Sequence, residues 1–197
     1  MKKYYLLFLL ATLFISATTT TKYVGRTGHI HVESKSRYLD VIADNYQVYC
    51  ELNPNSGAIT IKGLTKSFEF KMGAIDRAFN SSRVNLGEYG KFNFTGSLMN
   101  LSEIDFTKEG RYNIDVKGDL EIGKYIRKTK ASGTLYVKAD GTIRTETDFE
   151  MKIEEESVET INKLMKEKLP SVISLDADQL GISRMIQLSL NVSLRPR

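Results

Sequence analysis

TIRTETDFEMKIE (Thr142–Glu154) alternates from end to end. Ile143, Thr145, Thr147, Phe149, Met151 and Ile153 fall on one side. Arg144, Glu146, Asp148, Glu150, Lys152 and Glu154 fall on the other. Side chains of an extended chain point to opposite faces in turn, so this is a strand with one apolar and one wet face. Such a strand belongs to an antiparallel sheet covered on one side only.

The same period recurs outward along the chain. MIQLSLNVSLR (Met185–Arg195) sets Ile186, Leu188, Leu190, Val192 and Leu194 against Gln187, Ser189, Asn191 and Ser193. RYNIDVKGDL (Arg111–Leu120) sets Tyr112, Ile114 and Val116 against Asn113, Asp115 and Lys117. KFNFTGSL (Lys91–Leu98) sets Phe92, Phe94 and Leu98 against Asn93, Thr95 and Ser97. Between such runs lie NPNSG (Asn53–Gly57), TKEGR (Thr107–Arg111) and KADG (Lys138–Gly141), rich in the residues of tight turns. Many short strands, each half apolar, predict a sheet curled around one interior.

Two stretches break the alternation. GAIDRAFNSS (Gly73–Ser82) reads as a short helical turn, with Ile75 and Phe79 four apart. SVETINKLMKEKL (Ser157–Leu169) reads as an inserted helix. Ser157 can cap it, Val158, Ile161, Leu164 and Met165 form its apolar stripe, and Pro170 stops it.

The totals fit one folded domain. The chain has 197 residues, 41% hydrophobic and 26% charged, too apolar for a disordered chain. Lys2 and Lys3 precede an apolar run, Tyr4–Ile15, broken only by Thr12, and Ser16–Ala17 follow. That is the pattern of a secretory signal peptide cut after Ala17, and the run is too short to span a bilayer. The expected mature domain is 18–197, periplasmic or secreted. Removing the two lysines lowers the net charge from +4 to +2, a poor basis for binding nucleic acid. Cys50 has no second cysteine to pair with and reads as a small buried strand residue.

Signals for chemistry are sparse. TGHIHVESKS (Thr27–Ser36) carries the chain's two histidines, His29 and His31, on one strand face, with Ile30 and Val32 on the other. Zinc needs at least three protein ligands, and here a carboxylate would have to supply the third. The plainer reading, outward residues of the first strand with no metal, is preferred. There is no Gly-x-Ser-x-Gly turn and no phosphate loop; GRTG (Gly25–Gly28) lacks the spacing. Glu154–Ser157 reads as a solvated helix entry. No enzyme and no cofactor is expected. GKYIRKTK (Gly123–Lys130) is a dense basic hairpin; its plain reading is a solvated turn. The sharper one is membrane-surface contact through Lys124, Arg127, Lys128 and Lys130, each cation contributing about 1 kcal/mol near anionic headgroups.

The aromatic set is the last signal. Phe68, Phe70, Phe79, Phe92, Phe94, Tyr112 and Phe149 occupy apolar-face or helix-face positions. They are either plain core or, in a barrel, the lining of a ligand cavity, together with Ile114, Met151, Leu188 and Leu190.

The order of elements resembles the YceI-like family of exported bacterial proteins, the lipid/polyisoprenoid-binding domain, from about Gly28 to Leu194. GHIHVESKS is similar to that family's first strand, and NYQVYCELNPNSGAITIKGLTKSFEF (Asn45–Phe70) to its next hairpin. AFNSSRVNLGEYGKFNFTGSL (Ala78–Leu98) resembles its helical turn and following strand, with Tyr89, Phe94 and Gly96 matching and Gly90 in place of a proline. YNIDVKGDLEI (Tyr112–Ile122) is similar to its Tyr-x-Val-x-Gly-Asp-Leu-Thr-Ile strand. After Ile122 the family's His-Gly-Val-Thr-Lys-Pro is replaced: Gly123 and Lys124 stand for His-Gly, and Lys128 for the proline. The resemblance implies an all-β fold, an extended antiparallel lipocalin-like β-barrel. It implies a non-enzymatic protein holding an isoprenoid or long acyl-chain lipid inside. The alternative is a barrel packed solid, acting as a stress-related or protein-interaction module. Either leaves room for a homodimer.

Overall fold

The computed structural model describes residues 21–35, 40–80, 87–152 and 184–197. The expected signal segment 1–17 and the helix expected over Ser157–Leu169 lie outside them. The described chain is nearly all strand: β1 (Tyr23–Ser34), β2 (Val41–Leu52), β3 (Ala58–Leu64), β4 (Glu69–Phe70), β5 (Lys91–Leu98), β6 (Gly110–Ile122), β7 (Tyr125–Val137), β8 (Ile143–Lys152) and β9 (Met185–Pro196). One α-helix, α1 (Gly73–Asn80), occupies the expected helical turn and buries Ile75.

Every pairing is antiparallel. The order β1-β9-β8-β7-β6-β5-β3-β2 closes on itself because β1 pairs with β9 on one edge and β2 on the other. The result is a closed eight-stranded barrel, plus the short β4 laid against β2; the β7–β8 seam is paired only over Ser132–Val137 and Ile143–Asp148. The alternation read from sequence sets inside and outside: along β6, Ile114 is buried while Arg111, Asn113, Asp115 and Lys117 are exposed.

Turn chemistry holds the register. The β6–β7 hairpin has a two-residue loop, Gly123–Lys124, between paired Ile122 and Tyr125. Gly123 sits at φ +60°, the conformation a two-residue primed turn asks of its first central residue, and one glycine adopts without penalty.

One end of the barrel is plugged. Tyr23, Leu52, Leu98, Ile104, Leu135, Val137, Ile143, Val192 and Leu194 form a buried cluster there. Phe106 stacks on Tyr23 at 6.1 Å between ring centroids. At the other end Ile30, Val48 and Phe92 make a smaller cluster with Phe68 and Ile122.

One edge of β2 changes partner part-way along. Its Tyr49–Leu52 half pairs with β3 and Ala43–Asp44 with β4, which leaves a gap near Asn45. The Asn45 side chain fills it, donating from Nδ2 to the Leu64 carbonyl (3.0 Å) and accepting from the Gln47 amide (2.9 Å). Asn45 is fully buried, so truncating it empties a filled site and removes two hydrogen bonds to backbone, each contributing about 1 kcal/mol. Asn45→Ala is therefore expected to lower stability by about 2–4 kcal/mol in urea unfolding. A change below 0.5 kcal/mol, the range of an ordinary surface substitution, would show that the gap is not bridged by this side chain.

Candidate functional site

The interior holds a cavity of about 230 Å³. Apolar voids of about 150 Å³ stay dry and take a benzene-sized guest. The lining runs from the plugged end (Leu52, Leu98, Leu194) to Thr65, Phe68, Ile122 and Met151 at the other. Along β6 it includes Ile114, Val116, Leu120 and Ile122. That stretch, at about 3.3 Å per residue and a tilt of about 40°, covers about 20 Å of the barrel axis.

The lining carries no charged side chain. Its hydroxyls are partly spent on backbone: Thr65 Oγ1 donates to the Tyr89 carbonyl (2.6 Å) and Thr129 Oγ1 to the Arg127 carbonyl (3.3 Å). Cys50 lines the wall as well, and burial, helped by the neighbouring Glu51 charge, pushes its thiol up to about 12. At neutral pH it is a neutral apolar group and no nucleophile. Such a surface can hold a greasy chain.

The sequence-expected lining divides. Phe68, Phe92, Phe94, Ile114, Phe149, Met151, Leu188 and Leu190 all face the cavity. Phe70, Phe79 and Tyr112 do not. Phe70 and Phe79 pack edge to face on each other at 4.8 Å, between β4 and α1, where β4 follows β3 along the same edge of β2. Lys66 fixes that corner through the Phe79 carbonyl (2.7 Å). Tyr112 sits at the plugged end and donates its hydroxyl to the Lys108 carbonyl (3.1 Å). The aliphatic lining on β1 and β3, Ile30, Val32 and Ile61, was not singled out from sequence; the same alternation marks it.

The basic hairpin does not present one face. Lys128 and Lys130 are exposed on the outer wall, whereas Arg127 is half-buried on the inner-facing register opposite Leu120. Lys124 sits in the turn over the Tyr125 ring, 5.3 Å from its centroid, and Tyr125 stacks on Tyr89 at 6.1 Å. Period two in β7 separates what is contiguous in sequence.

The histidines point outward, with Ile30 and Val32 inward. Asp44, which no sequence motif singled out, lies between them. His29 Nε2 is 2.7 Å and His31 Nδ1 2.8 Å from Asp44 Oδ1. Partial burial pushes the Asp44 carboxyl up, but the bonds and charges of His31 and His29 outweigh it and hold the group below its usual value.

This closed barrel around an apolar channel has known counterparts. A polyisoprenoid-binding domain from Saccharophagus degradans, implicated in plant cell wall breakdown, superposes with a TM-score of 0.63 over 90% of this chain and 99% of its own. The two chains share one fold. BcnA from Burkholderia cenocepacia superposes with a TM-score of 0.53 over 84% of this chain and 95% of its own. Both are 10% identical to this chain, so the likeness is one of fold. No family model and no curated protein matches the sequence.

Proposed function

We propose that this protein binds, without catalysis, the hydrocarbon chain of an amphiphilic lipid, a polyisoprenoid or long acyl chain, inside the barrel, and that it works in the cell envelope after export. The observation that carries this reading is the uncharged cavity, whose lining runs along most of the barrel. Each methylene that leaves water for such a wall contributes about 0.8 kcal/mol, so a few isoprene units suffice for binding without a headgroup contact. The fold shared with a polyisoprenoid-binding domain points the same way. The cavity also weighs against a solid-core interaction module, which would fill that space with side chains. Envelope location rests on the Lys2–Lys3 and Tyr4–Ile15 leader.

Native mass spectrometry of the exported protein tests both parts at once. The expected spectrum shows a chain beginning near Thr18 and carrying a lipid adduct, released into organic solvent as an isoprenoid or acyl species. A ligand-free spectrum, an empty extract and no uptake of an added polyprenyl phosphate would overturn the binding reading. A mass that still includes Met1–Ala17 would overturn the export reading alone.

A further inference from the structure

The outer wall carries a second arrangement that the lipid reading does not use. His29 and His31 lie two residues apart on β1, and Asp44 lies directly across from His31 on β2. The strand pairing steps from Gly28↔Val48 to Ile30↔Asn45, so β2 carries one extra residue opposite His29. This bulge tilts β2 and lays the Tyr46 ring flat on the His29 ring, 4.4 Å away and 8° from parallel. Bulges commonly re-aim side chains in this way. The His29 ring is thereby held, and both imidazoles direct a nitrogen at one carboxylate oxygen.

We propose that His29, His31 and Asp44 form a binding site for a divalent transition-metal ion of the zinc type, with its fourth position open to water. One ligand atom from each residue lies within 4.8 Å of the other two. Four-coordinate zinc takes imidazole nitrogen and carboxylate oxygen at about 2.0–2.2 Å, which places neighbouring ligand atoms a little over 3 Å apart. The present nitrogen–oxygen distances of 2.7 and 2.8 Å fall short of that spacing by less than about 1 Å. Two imidazoles and one carboxylate suit zinc and its neighbours far better than magnesium or calcium, which prefer all-oxygen shells. All three residues are only half-buried, so the ion has a path in and a water can complete its shell. The ion would tie β1 to β2 at the point where the bulge loosens their pairing. The site lies on the wall opposite Ile30 and Val32 and does not rest on the lipid reading.

Zn²⁺ titrated into the tag-free full-length protein tests the site. Binding is expected to saturate at one ion per chain and to raise the melting temperature, because the ion binds only the folded barrel. Mg²⁺ should do neither. The two histidines are the only ones in the sequence, so each variant reads cleanly. Loss of even an outer-shell partner usually costs about 10–100-fold in metal affinity. His29→Gln, His31→Gln and Asp44→Asn are each expected to cost at least that much. Co²⁺ added to the unaltered protein gives a readout that needs no mutation, and the intense visible bands of a four-coordinate ion are expected. No Zn²⁺ uptake by the wild type, uptake that survives the double histidine change or Asp44→Asn, or the weak spectrum of hydrated Co²⁺ would each overturn the proposal.

Discussion

Gly118→Val is expected to cost about 3 kcal/mol or more in stability, at or beyond the upper end for overpacked interiors. Gly118 on β6 pairs with Gly96 on β5, and the Phe94 ring lies over both. A Cβ added at Gly118 would stand 2.4 Å from the Thr95 carbonyl oxygen, 2.6 Å from the Gly96 Cα and 2.6 Å from the Phe94 ring. Two of those neighbours are backbone, so the strands themselves must part. A ring could swing aside, but only into the cavity. The paired glycines let β5 and β6 coil closely enough to close the barrel, a role glycine plays where curvature is sharp. Gly90→Ala is the control. A Cβ there meets nothing within 4 Å, and its effect should stay within about 0.5 kcal/mol. Denaturant unfolding of both variants decides the point. Equal, small effects would mean that the β5–β6 contact is looser than described.

The barrel was legible because a period of two has one structural meaning. Once Ile143, Phe149 and Met151 are placed on one face, the interior of β8 is determined, and the same rule places Ile186 to Leu194. The turns were legible because glycine and asparagine mark them. Closure was not, since no local pattern says that β1 meets both β2 and β9. Weighting aromatic residues misplaced three side chains. Phe70, Phe79 and Tyr112 are aromatic like Phe92, but where their rings go depends on how β4, α1 and the plugged end pack. The same weighting passed over Ile30, Val32 and Ile61, which line the wall. The His29–His31–Asp44 group was half legible. The two histidines share a face by spacing alone, but bringing Asp44 to them needs the β1–β2 register, and stacking Tyr46 on His29 needs a bulge that no residue type announces.

Phe149→Trp should lower lipid affinity about tenfold or more while leaving the barrel nearly as stable. Phe149 lies opposite Leu188, half-buried, with its ring toward the cavity. An indole there takes up void rather than displacing neighbours. The space it claims is space a chain would use. Excluding two methylenes from the wall costs the ligand about 1.6 kcal/mol, a little over tenfold in affinity. Phe94→Trp gives the contrast. That ring is 9% exposed and rests on the Gly96 and Gly118 backbone, so enlarging it overpacks and costs about 1–3 kcal/mol. The chain has no tryptophan, and the introduced indole therefore reports its own surroundings. At position 149 its emission should be blue-shifted and should change when a polyprenyl probe is added. The paired measurement is thermal unfolding and probe affinity on both variants. If Phe149→Trp destabilises as much as Phe94→Trp and probe affinity is unmoved, the interior behaves as a packed core. The barrel would then be a scaffold for contacts on its outer wall and not a container.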